Sequence, residues 1–436
     1  MYKIKQLKTI KRQISIPADK SISHRAIILS SLAKGPTHIF PLLLSEDTKA
    51  TLECVKKCGV RFVLQKGKRI FVMGDGLYYP QNKKVRLNAY ESGTTFRIFS
   101  GVLAGQKFPC FFNAKPTLQR RPMTRITEPL ISMGANIEAK TRDKKKYPPF
   151  NIKPVDKLLG IKYRLPVASA QVKSSILLAG LFANSQTSII EPHPSRDHTE
   201  RMLSIFGADI KKKGKTITLI PAKRITSPGQ IFIPSDFSSA AFFIILGLIL
   251  KNSEILITDI SLNPTRSGLL KVLKRMGANI KVLDRKDYFE PYGNILVKSS
   301  QLKATTVTEK EIPLLIDEIP VLCVAAAFAK GKTKILGAGE LKVKETDRIS
   351  ASIYNLKKAG AKVTAKKYKN KGKDDWCIEI TGGKSLKGAN FKSFGDHRTA
   401  MSVFVLGAAV GSSSIDDVKC IDKSFPEFIS LLADLR

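Results

Sequence analysis

The sequence predicts an α/β protein assembled from repeated subdomains. Three observations carry this prediction. A pattern of helix, Gly, then Ala or Val, then a β-prone run occurs five times, at intervals of 70–83 residues. A second series of segments opens on small hydroxyl or acidic residues and then turns strongly apolar. The 436 residues, 43% of them hydrophobic, allow about three domains or two large ones, each with a sizeable core.

The five copies are Cys58-Gly59-Val60, Met133-Gly134-Ala135-Asn136-Ile137, Phe206-Gly207-Ala208-Asp209-Ile210, Met276-Gly277-Ala278-Asn279-Ile280 and Ala359-Gly360-Ala361-Lys362-Val363. Glycine at such a place fits the C′ position of a helix, where φ is positive. The β-branched alternation that follows reads as strand. A unit of about 70 residues exceeds the roughly 20–50 of a solenoid repeat, so each copy reads as a subdomain.

The helix starts interleave with these copies. Asp19-Lys20-Ser21 leads into Ala26–Leu29, and Ser92-Gly93-Thr94-Thr95 leads into Phe96–Leu103. Ser169-Ala170-Gln171 precedes Ile176–Leu181, Ser235-Asp236-Phe237-Ser238-Ser239 precedes Ala240–Leu250, and Gly395-Asp396-His397-Arg398 precedes Met401–Leu406. Ser, Thr and Asp are ordinary N-caps. Apolar cores point to helices buried on most sides. A buried helix start that also carries Lys or Arg joins free N–H groups, the positive dipole end and a cation, which attracts phosphates and carboxylates.

Particular residues then stand out as chemistry. Ser21 and Arg25 lie one turn apart on one helix face, with Lys20 at the turn into it. Leu118-Gln119-Arg120-Arg121-Pro122-Met123 reads as a turn or helix start. Asp317-Glu318 precedes an apolar helix over Val321–Phe328. Lys344-Glu345-Thr346-Asp347-Arg348 reads as a charged helix face, with Lys344 and Arg348 one turn apart. Carboxylates beside such cations suit general acid–base work.

Charge and composition narrow the function classes. Lys plus Arg is 74 against 36 for Asp plus Glu, a net charge of +38. That balance favours anionic partners, whether nucleic acid, a membrane surface or phosphorylated metabolites. The lysines read as a solvated surface, with Lys144–Lys146 and Lys211–Lys213 in turns, and no nucleic-acid motif accompanies them. The six cysteines contain no CxxC and read as reduced, buried thiols. Walker A is absent, as are a GxGxxG followed by an acid and a histidine cluster for a metal. The longest apolar run, Ala240–Leu250, is too short to span a bilayer. Ile4, Ile14 and Ile16 alternate as in a strand and not as a signal peptide. A cytoplasmic protein is expected.

Taken in order, the segments resemble the 5-enolpyruvylshikimate-3-phosphate synthase family over essentially the whole chain. Pro17-Ala18-Asp19-Lys20-Ser21-Ile22-Ser23-His24-Arg25 is similar to the family's PGDKSxSHR opening. Ser92-Gly93-Thr94-Thr95-Phe96-Arg97 resembles its GN(S/A)GTxxR loop, and Leu118–Met123 its arginine–proline segment. Ser169-Ala170-Gln171-Val172-Lys173-Ser174 and Ser195-Arg196-Asp197-His198-Thr199-Glu200 resemble one bacterial branch. Lys344–Arg348, Asp396-His397-Arg398 and Lys423-Ser424-Phe425-Pro426 resemble its C-terminal motifs.

The resemblance implies a two-domain inverted α/β barrel, each domain made of three βαβαββ copies, the sixth being degenerate. It implies one globe of residues 19–235 and another of 1–18 plus 236–436, with the active site between them. The hinge would lie near Pro17-Ala18-Asp19 and Pro234-Ser235-Asp236. The implied reaction moves the enolpyruvyl group of phosphoenolpyruvate onto the 5-hydroxyl of shikimate 3-phosphate. Glu345 would donate a proton to the vinyl CH2, Asp317 would take the hydroxyl proton, and Lys20 would face the departing phosphate. Lys20, Gly93, Arg121, Gln171, Arg348, Arg398 and Lys423 would bind phosphoenolpyruvate. Lys20, Ser21, Arg25, Ser169, Ala170, Gln171, Ser195, Arg196, Asp317 and Lys344 would hold shikimate 3-phosphate. No metal or organic cofactor, nucleic acid or membrane partner is implied, and a monomer is expected.

One departure bears on function. Glu91 stands where the family usually has Asn, two residues before Gly93. A carboxylate there would repel phosphoenolpyruvate unless an Arg such as Arg97 neutralises it. Glu340 stands where some members have Asn, but another branch carries Glu. The sister family that acts on UDP-N-acetylglucosamine usually has a reactive Cys on a mobile loop, yet Pro116–Met123 holds none. An RNA 3′-phosphate cyclase would suit the charge but lacks the shikimate-type motifs. A basic nucleic-acid-binding module and a decayed homologue kept for binding complete the alternatives.

Overall fold

At all five repeated glycines the backbone is left-handed, with φ of 80–95°. Each follows a helix, closing it before the next strand begins. The computed structural model describes residues 1–370, 372–383 and 385–435. The chain divides into two units, Ala18–Ile233 and Met1–Pro17 with Pro234–Arg436.

The first unit holds three sheets of one design. In one, Val85–Asn88 and Cys110–Asn113 run parallel on either side of the helix Gly93–Ala104 in sequence. Lys145–Lys153 pairs antiparallel with Cys110–Asn113, and Asn136–Arg142 pairs antiparallel with Lys145–Lys153. Lys162–Arg164, Thr187–Ile190, Thr216–Leu219 and Ile210–Lys213 repeat this order around the helices Ala170–Gly180 and His198–Ile205. In the third sheet Ala33–Phe40 takes its parallel neighbours, Ile225–Thr226 and Gln230–Phe232, from the far end of the unit. Its antiparallel side is Arg69–Asp75 and then Arg61–Gln65.

The second unit repeats the scheme. Lys11–Ser15 lies parallel to Glu254–Ser261, followed by Tyr292–Lys298 and Asn279–Lys286. Thr306–Val307, Gly331–Ile335, Lys373–Gly382 and Lys362–Asn370 form the next sheet. The last sheet has three strands: Asn390–Phe391 parallel to Ser413–Ile415, with Tyr2–Ile4 antiparallel. This is the reduced sixth copy. The fold is mixed α/β with βαβαββ repeats, and among the described residues no sheet closes on itself.

Six apolar helices form the interior. They are Lys20–Leu32, Gly93–Ala104 and Ala170–Gly180 in the first unit, and Phe237–Ile249, Ile319–Phe328 and His397–Val410 in the second. In Phe237–Ile249 every residue but the last is buried. Burial on all sides explains why these helices lack the one-sided polar pattern of a surface helix. Two close approaches depend on glycine. A Cβ on Gly101 would meet the carbonyl oxygen of Ser175 at 2.0 Å, so the second and third helices pack backbone to backbone. One on Gly93 would meet Arg97 Nη1 at 2.8 Å and Arg121 Nη1 at 3.3 Å.

Two local expectations need correction. Lys211–Lys213 are strand residues, and of Lys144–Lys146 only Lys144 is in the hairpin turn. Both runs flank hairpins, where strand lysines keep their ammonium groups in water and discourage further edge pairing. The six cysteines are buried and unpaired. Gly101→Ala is expected to lower stability by about 1–3 kcal/mol, because the two helices must separate to admit the methyl group. Urea denaturation of the two proteins checks this, and an unchanged midpoint contradicts it.

Candidate active site

In the first unit the starts of the three buried helices are tied together by side chains. Asp19, Ser92 and Ser169 cap them by accepting from the N–H groups of Ile22, Thr95 and Val172. Lys20 lies 3.1 Å from Asp47 Oδ2. Gln171 accepts from Arg97 Nη1 at 2.9 Å and donates from Nε2 to the Thr94 hydroxyl at 3.0 Å. Gly93 leaves the space that the Arg97 and Arg121 guanidiniums enter. Lys20 and Gln171 thus stand at helix starts, and Arg121 reaches one from the segment after Pro116–Gln119. The Thr117 hydroxyl donates to Glu91 Oε1 at 3.1 Å.

Arg25 is buried, unlike the exposed side chain a lone helical Arg suggests. Its Nε donates to Thr199 Oγ1 at 2.6 Å, its Nη2 to Ser174 Oγ at 2.7 Å and its Nη1 to the Ser21 carbonyl at 2.9 Å. Ser195 is buried and its backbone N–H donates to Glu191 at 3.2 Å. Arg196 and Asp197 follow in the loop before His198–Ile205, where Asp197 pairs with Arg201 at 2.9 Å.

Beneath these groups runs a buried chain of polar side chains. His24 Nδ1 lies 2.7 Å from Thr51 Oγ1, which lies 2.7 Å from Thr95 Oγ1. The Thr95 hydroxyl in turn reaches Ser92 Oγ at 2.7 Å. Burial holds the His24 imidazole well below its ordinary pKa, and the charges of Lys20 and Arg25 push the same way. His24 is therefore neutral, and its ring joins the helix Lys20–Leu32 to the helix Glu46–Lys57 of the same repeat.

The second unit gathers the opposite charges. Asp317 Oδ1 lies 3.2 Å from Arg348 Nη1 and 3.6 Å from Arg398 Nε, while its Oδ2 lies 3.7 Å from Arg266 Nη1. Arg348 reaches Glu345 through Nη2 at 2.6 Å and Asp396 through Nε at 2.9 Å. Burial alone would push the Arg348 guanidinium down; the charges of Asp396, Glu345 and Asp317 outweigh it and raise its pKa. Arg266 also pairs with Asp236 at 3.2 Å and Glu318 at 3.4 Å, and Ser238 donates to Glu318. Asp236 and Asp396 cap their helices, and Glu318 is the N-cap residue of Ile319–Phe328. Two arginines, Arg266 and Arg398, therefore link the helix starts.

One sequence expectation fails here. Lys344 and Arg348 do not share a helix face, because Lys344 ends the 3-10 segment Ala338–Val343 and the next helix begins at Arg348. Asp347 makes the break: its carboxylate caps Ile349 and Ser350 and pairs with Lys342 at 2.7 Å. Lys423 ends the segment Lys419–Lys423. Sequence reading missed Arg266, which sits in a loop with no pattern to mark it. It also missed Lys173, Glu191 and Glu200. Lys173 interrupts an apolar helix, and that interruption was the available signal.

Comparison with known proteins decides the family. The model of EPSP synthase (3-phosphoshikimate 1-carboxyvinyltransferase) matches residues 4–432. The chain belongs to the EPSP synthase family. It is 44% identical over 427 residues to the 3-phosphoshikimate 1-carboxyvinyltransferase of Thermoanaerobacter sp. (strain X514), covering 98% of this chain and 97% of that one. It is 45% identical over 436 residues to that of Thermodesulfovibrio yellowstonii, covering 99% of each. A solved EPSP synthase from Acinetobacter baumannii superposes with a TM-score of 0.85 at 38% identity, covering 100% of this chain and 98% of that one.

Neutral burial of His24 has a consequence for acid stability. An unfolded His near 6.5 binds its proton before the folded one does, so stability falls as pH drops below that value. The contribution is fully present above about pH 6.5 and declines by at most about 1.4 kcal/mol per pH unit. His24→Gln is expected to flatten the fall between pH 7.5 and 5. Urea titrations of both proteins across that range check it, and parallel curves contradict it.

Proposed function

We infer that the chain transfers the enolpyruvyl group of phosphoenolpyruvate to the 5-hydroxyl of shikimate 3-phosphate, releasing phosphate. The step leads toward chorismate and the aromatic amino acids. Family membership across nearly the whole chain carries this reading. The comparisons support neither transfer to UDP-N-acetylglucosamine nor nucleic-acid binding.

The proposed chemistry is addition followed by elimination. Glu345 gives a proton to the vinyl CH2 of phosphoenolpyruvate, which makes the adjacent carbon cationic. The 5-hydroxyl oxygen attacks that carbon while Asp317 takes its proton. The tetrahedral adduct then expels phosphate against Lys20, and the new methyl group returns a proton to Glu345. What supports the pairing of acid and base is Arg348, which touches Asp317 through Nη1 and Glu345 through Nη2. One rigid guanidinium fork sets both carboxylates. Three guanidiniums lie around Asp317, at 3.2, 3.6 and 3.7 Å.

Binding roles follow the same reading. Arg121, Arg348, Arg398 and Lys423 take the charges of phosphoenolpyruvate, with Lys20, Gly93 and Gln171. Lys20, Ser21, Arg25, Ser169, Ala170, Gln171, Ser195, Arg196, Asp317 and Lys344 hold shikimate 3-phosphate. Within the first unit, Arg25 held by Ser174 and Thr199 is a preset cation for a phosphate. The two globes expected from the resemblance, residues 19–235 and 1–18 plus 236–436, act in one reaction. The enzyme works as a cytoplasmic monomer without a cofactor, nucleic acid or membrane. No helix among the described residues is long and apolar enough to cross a membrane.

The test is phosphate release from phosphoenolpyruvate with shikimate 3-phosphate, with UDP-N-acetylglucosamine, or with neither. Release only with shikimate 3-phosphate is expected; release only with the nucleotide sugar, or none from folded protein, overturns the reading. Asp317→Asn and Glu345→Gln are each expected to lower kcat by about 10²–10⁴. Glu91→Asn is expected to lower the KM for phosphoenolpyruvate, since it removes a like charge. An unchanged or higher KM contradicts that role for Glu91.

A further inference from the structure

A fully buried lysine near the first unit's anion-binding candidates is unused by the reaction just described. Lys173 has no exposed surface, though it sits in the otherwise apolar helix Ala170–Gly180. Its ammonium lies 3.0 Å from Glu191 Oε1, 2.7 Å from Glu200 Oε1 and 3.2 Å from the Ser195 carbonyl oxygen. Two carboxylates and one backbone carbonyl thus surround a single ammonium. Glu191 and Glu200 are buried too. Burial pushes the Glu200 carboxyl above its usual range, and Lys173 opposes that rise.

The three partners have a definite place in the chain. Glu191 follows the strand Thr187–Ile190, Ser195 lies in the loop beyond it, and Glu200 lies in the helix His198–Ile205. Glu191 closes the loop, accepting from both the backbone N–H and the hydroxyl of Ser195. One ammonium therefore fastens the strand end, the loop and the following helix to the helix Ala170–Gly180. The residues next to these anchors hold Arg25. Ser174, beside Lys173, and Thr199, beside Glu200, both accept from its guanidinium and lie 2.6 Å from each other. Shifting segment 191–200 would thus move Ser195, Arg196 and the partners of Arg25 together.

A buried ion triad is a poor way to gain stability, because desolvating three charges costs about what their attraction returns. A hydrophobic residue at 173 would pack the same helix. The geometry fits a different use, fixing where polar groups stand. We propose that Lys173 is a positioning residue for shikimate 3-phosphate. Through Glu191, Glu200 and the Ser195 carbonyl it sets Ser195, Arg196 and Arg25 in register for the phosphate and hydroxyls of that substrate. The proposal rests on the reading that the chain takes shikimate 3-phosphate, and it deepens that reading.

The test compares Lys173→Met and Glu191→Gln with the wild-type enzyme. Glu191→Gln keeps side-chain size, so it reports even if Lys173→Met fails to fold. Each is expected to raise the KM for shikimate 3-phosphate by roughly 10–100-fold, the scale of a misplaced binding group. The KM for phosphoenolpyruvate, at saturating shikimate 3-phosphate, should stay within about twofold, and kcat should move far less than the first KM. Titration calorimetry with shikimate 3-phosphate alone should show the same loss. An unchanged KM for shikimate 3-phosphate in folded Glu191→Gln overturns the proposal. So does an equal rise in both KM values, which a merely loosened fold would give. A wild-type protein without shikimate-3-phosphate-dependent release overturns the functional reading as well.

Discussion

Burying six apolar helices forces their N-terminal N–H groups to find partners inside the protein, and much of the remaining architecture follows from that constraint. Five of the six starts are capped by an Asp or Ser side chain that accepts from one or two of those groups. The sixth, at Glu318, has no such cap bond, and its carboxylate faces Arg266, Arg398 and the Ser238 hydroxyl. Acidic caps inside a protein need cations. Arg266 and Arg348 supply them at Asp236 and Asp396, and in doing so bring Asp317 and Glu345 into the same network. The helix caps and the pair proposed to move protons thus share one network in the second unit.

The first unit meets the same constraint with mostly neutral caps. Ser92 and Ser169 take the place of two acids, and hydroxyl chains through Thr51 and Thr95 join the helices. Among its cations, Lys20 meets Asp47, Arg25 donates to the Thr199 and Ser174 hydroxyls, and Arg97 donates to Gln171.

The repeat was legible because one physical requirement, a positive φ after each helix, wrote the same glycine five times. The buried helices were legible from their apolar runs, and the ordered motifs named the family. Contacts between distant segments were not legible. Arg266 pairs with residues 30 and 52 positions away, and nothing in its loop announces them. Lys344 and Arg348 showed the reverse failure. Their spacing suggested a shared helix face, but Asp347 starts the helix between them by capping Ile349 and Ser350. Gly93, expected among the phosphoenolpyruvate-binding residues, is in the structure also the place where the Arg97 and Arg121 guanidiniums come close.

The two carboxylates held by Arg348 are proposed to move protons during an addition and elimination. Running the reaction in heavy water tests this most directly, with the vinyl methylene of the product read by mass and NMR. Protonation by Glu345 makes a methyl group that rotates before it loses a proton, so deuterium should appear in the product. Glu345→Gln should slow product formation and deuterium incorporation together, by about 10²–10⁴. A wild-type product free of deuterium, formed at full rate, would contradict vinyl protonation and the role assigned to Glu345.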